Sequence, residues 1–263
     1  MVLDMNKTNT AQTHLTPKIK THACEIANIT PLSANTFQID LKSITNEGLE
    51  YQAGHYLKLE LDVNKDGKPL SLSYSIADDF TPETPNSLQL FIQNTSDFVD
   101  KVLKTLSEKH THKEHVNIEL PFGNSHLQTD LNQPHLLVAA GSGIAKIKAL
   151  TEAILKQKPE TNLTLYWSNR EIEDFYLLDT FETLAEKHKN LTFTPILEAE
   201  NTNWSGRTGY IFEIIQEDFA NLENTKAYLC GSPNMVYGTI DKLEAIGLKE
   251  KNCCSDVFEY APR

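Results

Sequence analysis

The sequence predicts a two-domain chain, an antiparallel β domain followed by an α/β, Rossmann-like parallel sheet, and three observations carry that reading. Short apolar/polar runs separated by turn signals fill residues 18–123. From about residue 135 the pattern changes to apolar strands alternating with helix-length segments. The chain has 263 residues, enough for two cores at roughly 100–200 residues per domain.

Taken in order, residues 1–17 are polar and aperiodic and read as a mobile extension. Ala23–Thr30, Thr36–Leu41, Tyr56–Leu61, Leu72–Ile76, Leu88–Gln93 and Val116–Leu120 alternate as strands do, with turns such as NKDGKP and TPETPNS between them. Strands without intervening helices predict an antiparallel β-barrel or a sandwich. Phe98, Val99, Val102, Leu103 and Leu106 recur at helical spacing, so one helix is expected to cap this domain. The boundary is expected at 123/124. His135–Ala140 is a near-continuous apolar run, as in a strand buried on both faces. Helices are expected over Ile144–Lys158, Phe175–Lys187, Ile211–Phe219 and Pro233–Ala245. Strands are expected over Asn162–Trp167, Thr192–Leu197, Ala227–Cys230 and, last, Asp256–Tyr260.

Composition narrows the function. With 24 Lys+Arg against 36 Asp+Glu, the net charge of −12 argues against a nucleic-acid partner. No apolar run approaches membrane-spanning length, and the opening residues lack the apolar core of a secretory signal, so no membrane role and a cytoplasmic location are expected. Four scattered cysteines fit a reducing compartment, and no Cx4CxxC run for a plant-type iron–sulfur cluster is present. His110, His112 and His115 lie in a charged connector, and no metal is expected there.

Chemistry-bearing residues gather at predicted strand ends. Gly141-Ser142-Gly143 joins a strand to a helix, where glycines admit a close ligand and the helix N-terminus offers free N–H groups. Alone it is equally an ordinary βα turn. Cys230-Gly231-Ser232-Pro233 repeats the design, and Tyr166-Trp167-Ser168-Asn169-Arg170 ends a third strand. In an open α/β sheet such ends line the ligand crevice. Leu72-Ser73-Tyr74-Ser75 closes a strand of the first domain with hydroxyls and an aromatic, a ring platform or simply core packing.

The order of these motifs, with Leu120-Pro121-Phe122-Gly123 and Trp204-Ser205-Gly206-Arg207-Thr208-Gly209, resembles the ferredoxin–NADP reductase-like superfamily, and within it the bacterial NAD(P)H:flavin oxidoreductases. The resemblance implies a flavin-binding β-barrel over 18–123 and an NAD(P)H-binding domain over 124–263. It implies that Tyr74, with Ser73, Leu72 and Ile76 beside it, packs the flavin ring while Ser75 sits near the hydride-accepting N5. It places His55 and Tyr56 in a turn beneath the ring and Phe258 and Tyr260 near the flavin. Gly141, Ser142, Gly143 and Arg170 then fall on the pyridine-nucleotide side, and Cys230, Gly231 and Ser232 on the nicotinamide side. Lys146, Lys148, Arg170 and Arg207 are expected to supply positive potential for the dinucleotide. Where the family has an arginine that binds a flavin phosphate, this chain has Leu72, with Lys68 a partial substitute upstream.

The implied activity is hydride transfer from NADH or NADPH to loosely held FMN, FAD or riboflavin, in a monomer that could feed a flavin-dependent monooxygenase. Two other readings stay open. A fixed-flavin reductase component would pass electrons to a protein partner, and a non-catalytic nucleotide-binding module would have kept the scaffold without turnover.

Overall fold

The computed structural model describes residues 18–45, 47–128 and 130–263, so the expected N-terminal extension lies outside the described residues. The first sheet is built from β1 (Lys20–Pro31), β2 (Thr36–Ser43), β3 (Tyr56–Leu61), β4 (Leu70–Ser75), β5 (Ser87–Gln93) and β6 (His115–Phe122). Its order is β4-β3-β6-β1-β2-β5, with every neighbouring pair antiparallel. A bridge between Ile76 and Leu90 links the two edges, so the sheet curls into a barrel. The period-2 pattern explains the curl. Leu57, Leu59 and Leu61 of β3 are buried inside, while Tyr56, Lys58 and Glu60 alternate outward.

Helix α1 (Asp97–His112) covers one side of the barrel. Ser96 caps its start by accepting the Val99 N–H, Asp97 and Asp100 favour the positive N-terminal end, and Val102 and Leu106 enter the barrel core. His110 is engaged here, its Nδ1 lying 2.6 Å from the Ile26 carbonyl.

The second sheet contains β7 (His135–Ala140), β8 (Leu163–Asn169), β9 (Leu191–Leu197), β10 (Arg207–Thr208), β11 (Lys226–Cys230) and β12 (Cys253–Cys254). All its pairs are parallel, in the order β10-β9-β8-β7-β11-β12. Helices α2 (Ile144–Gln157), α3 (Leu178–Lys187), α4 (Ile211–Asp218) and α5 (Pro233–Leu243) connect the strands. The strand order reverses between β7 and β11, which makes the carboxyl ends of those two strands the expected ligand crevice.

Two sequence expectations are corrected. Helix α3 begins at Leu178, because Phe175 and Tyr176 are core anchors packed on Trp167 rather than a first helical turn. Residues Asp256–Tyr260 are not a strand. The Ser255 Oγ accepts the Val257 N–H, Glu259 N–H bonds the Asp256 carbonyl, and the chain winds into the short helix α6 (Val257–Tyr260). The sheet instead ends one turn earlier, at β12.

The barrel and the parallel sheet share one packed interface. Ala53, Ala77 and Phe91 are buried in the same apolar cluster as Ile144, Leu150 and Trp167. Lys148 donates to the Ala77 carbonyl and Leu127 N–H to the Ala53 carbonyl. Gly54 is needed at this junction. Its φ of +93° is a left-handed conformation, and a Cβ there would press within 2.9 Å of the His126 Cα.

Candidate functional site

A continuous cleft runs between the two sheets. Its central cavity, about 380 Å³, has Ser73, Tyr74 and Ser75 on the barrel side and Gly143, Cys230 and Gly231 on the other. A second, of about 310 Å³, shares Tyr74, Ser75 and Cys230 and extends to Tyr56, Asp256 and Tyr260. A third, of about 470 Å³, continues from Ser142 and Ser232 over the ends of β7 and β8 to Asn169 and Arg170.

Each wall follows from local sequence. In the β3–β4 ladder Ser75 stands opposite Tyr56 on the outer face, and Tyr74 opposite Leu57 on the core face. Both line the cleft because β4 ends there. Burial pushes the Tyr74 phenol up to about 12, so it presents a neutral aromatic body. On the facing wall, Gly141 adopts φ +55° and its carbonyl accepts the Trp167 indole N–H at 3.0 Å. A Cβ on Gly143 would overlap the Cys230 carbonyl, so that glycine lets the β7 and β11 loops touch. Ser232 caps α5 by accepting the Met235 N–H, with Pro233 at the first helical position. Burial raises the Cys230 thiol to about 11, which keeps it a neutral, polarisable surface at neutral pH.

Several expected site residues lie away from the three cavities. Ile76 is fully buried in the barrel core. Leu72 packs against that same core, and Phe258 against Tyr237 in the second domain, so neither lines the three cavities. His55 is buried at the domain junction, where its Nδ1 accepts the Gln52 N–H and its ring lies 4.5 Å from His126. Burial, with His126 and Lys146 nearby, lowers its pKa to about 3. Lys68 stands in the β3–β4 turn, at the far end of that hairpin from Ser75.

The expected cations are also spoken for. Lys146 is buried, with its ammonium 2.7 Å from Asp256 and bonded to Ser125. Lys148 pairs with Glu152, Arg207 with Glu217 and Asp218, and the exposed Arg170 with Glu198 at 3.2 Å.

Sequence reasoning missed Gln93, Asp256 and Glu259. Gln93 ends β5 and lines two of the cavities. Asp256 and Glu259 line the second cavity and brace the chain around Ser125: Asp256 accepts from the Ser125 hydroxyl at 2.8 Å and Glu259 from the Asn124 N–H at 2.6 Å. The one usable signal was Lys146, a lysine three residues past a glycine turn in an otherwise apolar helix face.

The donor set fits a planar heteroaromatic ligand. Tyr56, Tyr74 and Tyr260 offer ring surfaces, and Ser73, Ser75, Ser142 and Gln93 offer short polar contacts for ring-edge groups. Residues 137–240 match the oxidoreductase NAD-binding domain family. The chain is 26% identical to an NAD(P)H-flavin reductase of Vibrio harveyi over 208 residues, covering 79% of this chain and 85% of that one. It is 27% identical to a probable flavin reductase of Vibrio harveyi over 241 residues, 90% of this chain and 99% of the relative. Among solved structures, the Amycolatopsis cytochrome P450 reductase GcoB superposes with a TM-score of 0.78 at 21% identity, over 92% of this chain and 71% of that one.

Proposed function

We propose that this chain, which is similar to flavin reductases over most of its length and shares the fold of a cytochrome P450 reductase, is an NAD(P)H:flavin oxidoreductase of the ferredoxin–NADP reductase-like superfamily whose two ring substrates meet in the cleft. The observation that carries this reading is the pair of facing walls, Tyr74 and Ser75 from the barrel and Gly143 and Cys230 from the parallel sheet, lining one cavity. The chemistry supplied by the bound partners is hydride transfer from nicotinamide C4 to flavin N5.

The protein's part is alignment and exclusion of water. Tyr74 and Tyr260 are suited to lie against a flat ring, and the Ser75 hydroxyl to hydrogen-bond its edge. The neutral Cys230 thiol and the Gly231 backbone let a second ring approach without a charge in the way. No acid–base side chain is required. Leu72 offers no charge to a flavin phosphate, which favours a dissociable flavin substrate over a resident group. The same feature disfavours a fixed-flavin component serving a protein partner, a reading that would predict a protein that stays yellow through dialysis.

The cofactor end also carries an expectation. Arg170 is already neutralised by Glu198, and Asp174 lines the same cavity, so an added 2′-phosphate would meet an acidic pocket. Steady-state oxidation of NADH and NADPH with riboflavin, FMN and FAD tests the reading. Flavin-dependent oxidation, with NADH used in preference to NADPH, is expected. Absence of turnover with all three flavins would overturn it.

A further inference from the structure

The outer face of the β3–β4 ladder carries a cation that the cleft described above does not use. Lys58 lies between Tyr56 and Glu60 on that face, directly opposite Ser73. Its ammonium is 4.4 Å from the centroid of the Phe122 ring, and Phe122 stacks on Tyr56 at 5.5 Å with 19° between the planes. Its ladder neighbours on that face, Tyr56 and Ser73, both line the second cavity.

Lys58 differs in charge balance from the cations expected around the cleft. Lys20, Lys146, Lys148, Arg170 and Arg207 each lie within ion-pair reach of a carboxylate. Among the described residues Lys58 makes no ion pair, although Glu119 is its ladder neighbour on β6. A half-buried stem held over an aromatic ring leaves the charge little freedom to lose. That is the preparation an arriving anion needs.

Resting on the reductase reading above, we infer that Lys58 anchors the terminal phosphate of a phosphorylated flavin whose ring occupies the cleft, making FMN a better acceptor than riboflavin. The ring has its platform at Tyr74 and Tyr260, and the ribityl tail has the outer face of β3 and β4, through Ser73, to follow. Lys68 is less suited. It lies five residues from Ser73 along the chain, about 16 Å at strand rise, whereas Lys58 is the residue across the ladder from Ser73. As a point charge without a guanidinium fork, Lys58 gives one charge-assisted contact, which sets a preference without locking the flavin in place.

Flavin-fluorescence titrations with riboflavin and FMN, on the wild-type protein, K58M and K58R, read this without turnover. Methionine keeps an apolar stem over Phe122 and removes the charge. The wild type is expected to bind FMN about tenfold more tightly than riboflavin, K58M to bring that ratio to about one, and K58R to retain most of it. Raising salt toward 0.5 M, roughly, is expected to shrink the wild-type ratio and leave that of K58M in place. Equal affinities in the wild type, or a ratio that K58M does not move, would overturn the assignment. If NADH oxidation fails with every flavin while the titrated ratio behaves as stated, the reductase reading falls and the phosphate anchor stands.

Discussion

Ser75 is the residue on which the proposed chemistry turns, because its hydroxyl borders both the central and the second cavity. One neutral hydrogen bond contributes about 0.5–1.5 kcal/mol, so S75A should slow hydride transfer by roughly two- to twelvefold while nucleotide affinity holds. Single-turnover absorbance of the flavin after mixing with NADH measures the step apart from product release. Equal rates in the two proteins would remove Ser75 from that role. Its place at the close of the Leu72-Ser73-Tyr74-Ser75 strand was legible in the sequence, whereas its proposed role came only from the family resemblance. The placements of Leu72 and Ile76 were not, because a six-residue stretch does not say which of its faces the barrel encloses. The ladder decides it: Leu72 stands opposite Leu59, whose side chain is fully buried.

At the scale of elements, periodicity located nearly every strand and helix, since an alternating β3 and a continuously apolar β7 each have only one way to hide their side chains. It failed where the chain is short and held by tertiary bonds. Val257-Phe258-Glu259-Tyr260 alternates like a strand, yet Ser255 and Asp256 turn it into a helix beside the cleft. What fastens that segment is Lys146, whose partner Asp256 is 110 residues away and therefore invisible to any local pattern. The Lys146 side chain is only 2% exposed, so its ammonium depends on that carboxylate. Removing one partner of a buried pair costs about 3–5 kcal/mol, and D256N should lower unfolding stability by about 3 kcal/mol. The double variant K146M/D256N, which leaves no buried charge, should recover most of the loss. Urea midpoints for the three proteins decide the matter, and a D256N midpoint equal to wild type would show that the pair does not hold the wall.

For the whole molecule, buried histidines kept neutral sit at the domain junction and in both sheets, and this predicts how the fold answers acid. Burial lowers His22, His55 and His135 below their ordinary 6.5, His55 to about 3. Between about pH 6.5 and 3 the unfolded chain binds a proton at His55 that the folded chain refuses, so stability is complete above 6.5 and is lost as pH falls. Asp78 acts in the opposite sense. Burial raises its carboxyl from 3.8 to about 6, so between those values the folded chain holds a proton the unfolded chain has released, and its contribution grows as pH falls. From pH 7 to 6 the histidines outweigh Asp78, and below 6 Asp78 offsets more of their effect. The melting temperature should therefore drop from pH 7 to 5 at constant ionic strength. The fall should be shallower in H55Q, whose side-chain oxygen can still accept the Gln52 N–H, and steeper in D78N, which deletes the opposing titration. Scanning calorimetry at pH 7, 6 and 5 resolves the three slopes, and a wild-type profile flat across that range would refute the account. The same neutrality suits the cleft. With His55 uncharged behind the β3 turn and Lys146 bound to Asp256, the junction holds the two sheets together without adding a free charge to the cavity proposed to take two flat rings.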